Sequence, residues 1–344
     1  MITPLKNLSR DQIRELFAAK GLPTFRSKQL LEWLYKKGAH SYDEMSNLPK
    51  SLREQLANEY PIFRVEVIDK QVSLDGTRKF LLSFHEGYVA ECVGIPASDN
   101  RLTVCCSSQA GCAMRCDFCA TGKQGFTANL SIGEIVDQIL LVQNEFGRRV
   151  TNIVVMGQGE PFLNFDNVIE ALRICNDDSL IGIGARKITV SSCGIIPGIK
   201  QFSNIDEQFT LAVSLHSAVQ RTRDRIMPGV SQYPLDKLHK ELAHYVANTN
   251  RRITFEYALM QGVNDSEDDL KALIDYCADL LCHVNLIPLN EIEGSSYLPI
   301  SQSAMDHWCN ELIANGTEAS IRNSRGSDIA GACGQLANSK RTNS

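Results

Sequence analysis

The first sixty residues of the chain place apolar side chains at the spacing of short helices. The stretch from Ser9 to Gln12 fits a capping box, and apolar positions at helical spacing follow it. Further helices are predicted over 26–37 and 48–60. After Pro61 the pattern changes to strands, so we predict a domain boundary near this residue. These strands are expected at 65–68, 79–84, 88–93 and 102–106.

Beyond residue 130, short apolar runs rich in β-branched residues alternate with helix-periodic segments. The runs predicted as buried strands cover 152–156, 187–191, 209–215, 253–259, 283–288 and 319–321. The helical segments cover 131–146, 166–175, 235–247, 266–280 and 301–314. Strands that alternate with helices build parallel βαβ units. We therefore predict a complete or partial β/α barrel or a doubly wound sheet, with functional residues at the carboxyl ends of its strands.

Composition and charge exclude several classes of protein. Of the 344 residues, 43% are hydrophobic and 22% are charged, as in ordinary folded proteins and unlike disordered ones. The apolar runs are too short to cross a bilayer and the first residues lack an apolar signal core, so we expect a cytoplasmic protein without membrane contact. The net charge is −5, yet residues 1–60 hold ten Lys and Arg against seven Asp and Glu. Nucleic-acid binding through this basic segment therefore stays open.

Three of the twelve cysteines are clustered. Cys112, Cys116 and Cys119 form a C-x3-C-x2-C run shortly after a predicted strand. Three thiolates on one loop can hold a [4Fe–4S] cluster, which usually has four cysteine ligands, and would leave one iron open to another ligand. The spacing favours such a cluster. A zinc site completed elsewhere in the chain and chance spacing are the alternatives.

The cysteine spacing resembles that of the radical S-adenosylmethionine (SAM) superfamily, and two more motifs narrow the resemblance. Gly-Gln-Gly-Glu-Pro at 157–161 follows a predicted strand, and Arg-Gly-Ser-Asp-Ile-Ala-Gly-Ala-Cys-Gly-Gln-Leu fills 325–336. Both are similar to motifs of the RlmN/Cfr family of RNA adenine methyltransferases, although Gln158 stands where Met is common. The resemblance extends over nearly the whole chain.

The resemblance implies an α/β fold: a partial (β/α)6 radical SAM barrel with a small N-terminal helical domain and a short β extension. Four parts are expected on this basis. They are an RNA-binding helical domain at 1–60, the β extension at 61–100, the barrel at 101–322, and a loop with a methyl-accepting cysteine at 323–344.

The family also implies roles for three residues outside the cysteine motif. Cys333 takes a methyl group from one SAM, and the radical from a second SAM activates that methyl so that its carbon adds to the adenine ring. Cys105 then resolves the protein–RNA adduct through a transient disulfide with Cys333. Glu91 is the expected proton acceptor, with a solvent-facing strand glutamate as the alternative. Because adjacent strand residues face opposite sides, Cys106 is expected in the core.

Polar residues at predicted strand ends match positions where the family contacts SAM. These cofactor-binding candidates are Gly159, Glu160, Ser191, Ser214, Leu215, His216 and Asn290. The Glu160 carboxylate is expected to accept hydrogen bonds from the SAM amino group. Taken alone, His216 is more typical of a structural histidine.

The resemblance implies methylation at C2 of an adenine in 23S ribosomal RNA and of the adenine beside the anticodon in transfer RNA. Pro161 favours this reaction over the C8 methylation of Cfr-type enzymes. The target base must leave its stack to reach a buried cluster. An electron donor such as flavodoxin and a monomeric state are also expected. Basic residues expected to contact phosphate are Arg26, Lys28, Lys36, Lys37, Arg322, Arg325, Lys340 and Arg341.

Two other classes of function stay open from the residues alone. A radical SAM activase, which abstracts hydrogen from a partner protein, would not need Cys105 or Cys333. A non-catalytic RNA-binding module with zinc or a cluster would not need polar residues at five strand ends. Six cysteines have no role that the sequence assigns: Cys92, Cys175, Cys193, Cys277, Cys282 and Cys309.

Overall fold

The computed structural model describes residues 3–338. Its first part contains three helices, α1 (Arg10–Ala19), α2 (Thr24–Leu31) and α3 (Lys50–Glu59). The predicted capping box is present, because Ser9 Oγ accepts a hydrogen bond from Gln12 N while the Gln12 side chain accepts one from Ser9 N. Each helix buries apolar side chains on one face, as the periodic pattern predicts.

Ten of the strands in the described residues form one open sheet. In chain order the strands are β1 (Glu66–Val72), β2 (Arg78–Ser83), β3 (Val89–Pro96), β4 (Leu102–Cys105), β5 (Gln109–Gly111), β6 (Phe126–Asn129), β7 (Asn152–Val155), β8 (Ile188–Ser192), β9 (Thr210–Ser214), β10 (Ile253–Leu259), β11 (Cys282–Pro288) and β12 (Glu318–Ile321). The sheet order is β1-β2-β3-β4-β7-β8-β9-β10-β11-β12, and β5 pairs with β6 in a second, two-stranded sheet.

The sheet has an antiparallel part and a parallel part. Strands β1 to β4 pair antiparallel, and from β4 onward every pairing is parallel. The six parallel strands β4, β7, β8, β9, β10 and β11 confirm the expected partial barrel, and β1 to β3 form the β extension. The short strand β12 adds a seventh parallel strand at the far edge.

Helices connect the parallel strands. They are α4 (Ala120–Gln124), α5 (Ile132–Phe146), α6 (Phe165–Asn176), α7 (Ile196–Phe202), α8 (Gln220–Ile226), α9 (Leu235–Thr249), α10 (Glu267–Cys277) and α11 (Gln302–Ala314). The five long ones lie where the sequence predicts them. The β5–β6 hairpin and the short helices α4, α7 and α8 were not predicted, because helices of five to seven residues are too short to show an apolar period.

Largely buried ion pairs attach the N-terminal helices to the barrel. Lys6 Nζ lies 2.6 Å from Asp137 Oδ1 on α5. Arg10 contacts Glu170 on α6 at 3.2 Å and Asp177 just after this helix at 2.8 Å. The helical part is therefore seated on the α5–α6 face of the sheet. Among residues 3–338, no helix combines the length and hydropathy that crossing a membrane requires.

After β12 the chain returns to the antiparallel part of the sheet. A single 3-10 turn (Ser327–Ile329) is anchored where Asp328 accepts hydrogen bonds from Ser73 Oγ at 2.6 Å and Leu74 N at 3.1 Å. Further along, Thr121 Oγ1 donates to Leu336 O at 2.7 Å. This return places residues 331–336 against the carboxyl ends of the parallel strands.

Candidate active site

A cavity of about 550 Å³ opens at the carboxyl ends of the parallel strands. Each of the six barrel strands contributes to its wall, either with one of its last residues or with the residue that follows. These residues are Cys105, Met156, Ser191, Ser214, Ala258 and Pro288. The wall is completed by residues 331–334 of the returning C-terminal segment. The cavity thus lies where α/β barrels carry their chemistry.

The loop between β5 and α4 brings Cys112, Cys116 and Cys119 to this cavity. Backbone hydrogen bonds fix the loop: Cys112 N donates to Gly125 O at 2.8 Å, and Cys119 N donates to Cys116 O at 3.1 Å. Gly111, just before the first cysteine, has φ of +73°, and a Cβ at this position would overlap the Gly125 carbonyl oxygen. Only glycine can therefore precede Cys112 in this arrangement.

The electrostatics of these thiols suit a metal cluster. Burial raises the pKa of Cys112 to about 12 and also raises the pKa of Cys119. Coordination to iron supplies the positive charge that a buried thiolate lacks, so these donors fit the cluster. Within residues 3–338, no three His, Cys, Asp or Glu side chains are gathered closely enough for a single metal ion. The three thiols instead line one wall of the cavity.

Glu160 is fixed at the floor of the cavity. Its carboxylate accepts hydrogen bonds from Cys193 N at 2.7 Å and from Phe162 N at 3.0 Å. Burial raises the pKa of Glu160, and these two hydrogen bonds act against that rise. Gly159 beside it has φ of +101° and leaves no room for a Cβ against Gln109. A carboxylate held in this way can bind an ammonium group without moving.

Four of the other predicted cofactor contacts line the cavity and one does not. Ser191 and Ser214 lie on neighbouring strands with their hydroxyl oxygens 3.4 Å apart, and His216 and Asn290 are also in the wall. The Leu215 side chain is fully buried and is absent from this wall, because strand alternation turns it into the core. The prediction for Leu215 therefore finds no side-chain support in this geometry.

His216 is a buried residue held by the fold, and it also lines the cavity. Burial lowers its pKa to about 3, so the ring is neutral, and Nδ1 accepts a hydrogen bond from Ala258 N at 2.9 Å. Its φ of +55° is stabilised by the buried Asn264 amide, which donates to His216 O at 2.6 Å. With Nδ1 used as an acceptor, Nε2 carries the proton and can donate to a ligand.

The two cysteines predicted to form a transient disulfide with each other lie in the wall of this cavity. Cys105 and Cys333 both line the cavity, while Cys106 is fully buried, as the strand alternation predicts. Burial raises the pKa of Cys105 to about 12, the charge of Cys333 adds to the rise, and Arg322 opposes it. Asn290 Nδ2 donates to Cys333 O at 3.1 Å and ties the second cysteine to the end of β11.

Glu91 lies behind the cavity wall and not in it. Its side chain is 0% exposed, so it is not a solvent-facing strand residue. The carboxylate pairs with Lys79 Nζ at 3.2 Å and accepts hydrogen bonds from Ala337 N at 2.8 Å and Asn338 N at 3.0 Å. The C-terminal segment therefore covers Glu91 in this conformation.

Contrary to the prediction from the sequence, Arg322 does not lie in a basic surface patch. Its side chain points into the cavity, where it contacts Glu256 Oε2 at 3.3 Å and Met156 Sδ at 3.5 Å, and Cys333 raises its pKa. Arg325 is more exposed, whereas Lys340 and Arg341 lie outside the described residues.

Sequence reasoning missed the cavity position of three residues: Cys193, Glu256 and Arg322. Cys193 and Arg322 directly follow β8 and β12, so their strand-end positions carried a usable signal. The Cys193 thiol contacts Cys116, and this contact together with burial raises its pKa. Glu256 lies inside a strand, where nothing in the sequence marks it.

Comparisons with known proteins agree with this architecture. Sequence profiles match the Radical SAM superfamily over residues 106–275 and the ribosomal RNA large subunit methyltransferase N-terminal domain over residues 3–62. The chain is 44% identical over 336 residues to the probable dual-specificity RNA methyltransferase RlmN of Gloeobacter violaceus, covering 98% of this chain and 95% of that protein. The chain belongs to the RlmN family.

Other members of the family show the same full-length similarity. The corresponding protein of Trichodesmium erythraeum, also named a probable dual-specificity RNA methyltransferase RlmN, is 46% identical over 334 residues, which are 97% of this chain and 96% of the relative. The crystal structure of a radical SAM methyltransferase from Sphaerobacter thermophilus superposes with a TM-score of 0.92 at 40% identity, covering 98% of this chain and all of that one. The chain is therefore a radical SAM methyltransferase, and its cofactors are a [4Fe–4S] cluster and SAM.

Proposed function

We propose that this enzyme methylates C2 of an adenine in 23S ribosomal RNA and of the adenine beside the anticodon in transfer RNA. One observation carries the proposal: a single cavity contains the C-x3-C-x2-C thiols together with the separate pair Cys105 and Cys333. A radical SAM activase needs only the first set. The family relatives, named dual-specificity RNA methyltransferases, support RNA as the substrate.

The cluster and SAM would bind where the cysteine loop and the ends of the parallel strands line the cavity. Cys112, Cys116 and Cys119 would hold the cluster, and when bound, the cluster and SAM supply the methyl group and the radical chemistry. Glu160 would bind the SAM amino group through the two carboxylate oxygens that Cys193 N and Phe162 N already orient.

Other SAM contacts would come from strand ends around the same cavity. The proposed residues are Gly159, Ser191, Ser214, His216 and Asn290, with Leu215 able to contribute only through its backbone. Because the His216 ring is neutral at physiological pH, it can donate one hydrogen bond but cannot repel the positive sulfonium of SAM.

The carrier chemistry is assigned to Cys105 and Cys333 in the same cavity. Cys333 would accept the methyl group, and Cys105, whose charge interacts with that of Cys333, would resolve the adduct by forming a disulfide with it. Glu91 would take the ring proton after residues 337–338 move away from its carboxylate. Arg322 lies in the wall beside both cysteines and is placed to stabilise the thiolate of Cys105.

RNA would approach from the mouth of the cavity and across the N-terminal helices. The side chains of Lys28, Lys36 and Lys37 are exposed and fit phosphate contact. Arg26 is partly used in the fold, because its guanidinium donates to Asn47 O at 2.8 Å. An external one-electron donor such as flavodoxin, a monomeric state and a cytoplasmic location complete the proposal.

The test is anaerobic reconstitution with iron and sulfide, followed by incubation with SAM, a reductant and either an rRNA fragment or tRNA. Mass spectrometry of RNA and protein should find 2-methyladenine in both RNAs and a methylthioether on Cys333. The variant Cys333→Ala should keep its iron and form no methylated RNA. The matched control is Cys309→Ala, since Cys309 is half-buried on α11 and does not line the cavity.

Each other outcome has a defined meaning. An 8-methyl product would retain the carrier mechanism and replace the proposed regiochemistry with the Cfr type. Methylation of rRNA alone would remove tRNA from the proposal. Cleavage of SAM without methylation of either RNA or Cys333 would refute the methyltransferase assignment of these residues and favour the activase.

A further inference from the structure

A buried ion pair joins β2 and β3 directly behind the loop that carries Cys333. Lys79 Nζ lies 3.2 Å from Glu91 Oε1, and the two side chains are 2% and 0% exposed. The pair connects adjacent antiparallel strands, on which Glu91 is opposite Leu81 and Lys79 is opposite Val93. Two charges withdrawn from water are expensive to keep even when paired, so such a pair often serves a purpose other than stability.

The same two side chains hold both ends of one loop. Lys79 Nζ donates to Ala330 O at 3.3 Å. Glu91 Oε2 accepts hydrogen bonds from Ala337 N at 2.8 Å and from Asn338 N at 3.0 Å. Cys333 lies between these anchors, and the residues around it form the cavity wall. One ion pair therefore holds the loop at its beginning and at its end.

Gln158 adds a third contact to this arrangement. It is buried, its Nε2 donates to Asn338 Oδ1 at 2.9 Å, and its Oε1 accepts from Glu91 N at 3.3 Å. The residue next to it in the chain is Gly159 of the cofactor wall. The loop end is thus bound to the strand that carries Glu91 and to the wall proposed for SAM.

We propose that Lys79 is a positioning residue whose ion pair with Glu91 fastens the Cys333 loop, residues 330–338, in its closed position. This inference rests on the proposed function, which gives Cys333 and Glu91 their roles. While the loop is closed, two backbone N–H groups occupy Glu91 Oε2 and the carboxylate is covered. Opening frees the loop end and the carboxylate together, so the proton acceptor becomes available when the carrier loop moves.

The test replaces the ion pair by apolar residues of similar size. A buried pair can often be exchanged for hydrophobic side chains without loss of stability, so the double variant Lys79→Met, Glu91→Leu should fold. Its loop, however, loses the acceptor for Ala337 N and Asn338 N and the donor for Ala330 O. These backbone groups then find partners in water, which requires the loop to open.

Two readouts follow the loop in the cluster-loaded enzyme without SAM or RNA. Hydrogen exchange of the amides in 330–338 and alkylation of Cys333 by iodoacetamide, read by peptide mass spectrometry, should each be at least about tenfold faster than in the wild type, since three hydrogen bonds to charged groups are removed. The thermal midpoint should change little. The matched control is Lys70→Met, Glu145→Leu, which removes a partly exposed 2.9 Å pair between β1 and α5 and should leave the loop protected.

The outcomes separate this inference from the proposed function. Unchanged exchange and alkylation in a folded double variant would refute the fastening role, whatever the activity of the enzyme. If the double variant does not fold, Lys79→Gln provides the second test, because it removes the charge that pairs with Glu91 and faces Ala330 O while keeping a polar side chain: faster exchange in residues 330–338 would support the proposal, and wild-type exchange would refute it. Since neither readout uses RNA, an absent RNA product does not affect this result.

Discussion

The glycine before the first cluster cysteine permits a sharp test of the cysteine loop. Gly111 has φ of +73°, and a Cβ would overlap the carbonyl oxygen of Gly125, which is also the acceptor for Cys112 N. In Gly111→Ala the left-handed conformation costs about 1–2 kcal/mol, and displacement of the carbonyl removes a hydrogen bond that contributes about 1 kcal/mol. The total, about 2–3 kcal/mol, is below the stability of an ordinary domain. The variant should therefore fold with Cys112 displaced.

The assay is the iron and acid-labile sulfide content per chain after anaerobic reconstitution, together with thermal unfolding of the iron-free protein. Gly111→Ala should bind much less iron than the wild type. Gly125→Ala is the matched control, because Gly125 has φ of +77° and no atom near its Cβ position. Its ψ of −176° places it in a region that residues other than glycine rarely adopt, so the variant should suffer a backbone strain of about 1–3 kcal/mol and retain its iron. Equal iron content in the two variants would refute the argument that the Gly111 contact positions Cys112.

Two further predictions concern thiolate chemistry and RNA affinity. Because the pKa of Cys105 is raised to about 12, its thiolate fraction should increase about tenfold per pH unit between pH 7 and 9, and so should its alkylation rate. Arg322→Gln removes the attraction that lowers this pKa and should slow alkylation at each pH, whereas Arg325→Gln should not; equal rates in the two variants would contradict the placement of Arg322. Replacing Lys28 and Lys36 by Gln should weaken RNA binding and reduce the salt dependence by about one unit of slope per lysine, measured by fluorescence anisotropy at several salt concentrations. An unchanged slope would remove these helices from the RNA interface.

Much of the fold was predictable because its signals are local. The capping box at Ser9 and the helical period from residue 131 mark helix starts that the structure contains, and apolar runs such as 253–259 are strands with the predicted bounds. The parallel arrangement follows from the alternation of these elements. Short elements escaped prediction, because the hairpin β5–β6 and the helix α8 are stabilised by contacts with the cysteine loop and not by their own pattern.

The site was predictable to the extent that it lies at strand ends. Ser191, Ser214 and Glu160 occupy such positions, which the apolar runs of the sequence mark directly. The sequence could not show that Glu91 is covered by residues 337–338, since nearly 250 residues separate the partners. Nor could it show that Arg322, directly after β12, turns into the cavity toward Glu256, because arginine is more often on the surface.

The return of the C-terminal segment to the first strands also determines the order in which the enzyme can be assembled during translation. Asp328 docks on Ser73, which precedes it by 255 residues. At the usual rate of synthesis the ribosome makes the docking site roughly 10–50 s before the segment that binds it. For most of that interval the cysteine loop, which follows Ser73 in the chain, already exists while the wall at 331–334 does not. In a nascent chain, Cys112, Cys116 and Cys119 are therefore present before the C-terminal wall that narrows the cavity of the finished enzyme.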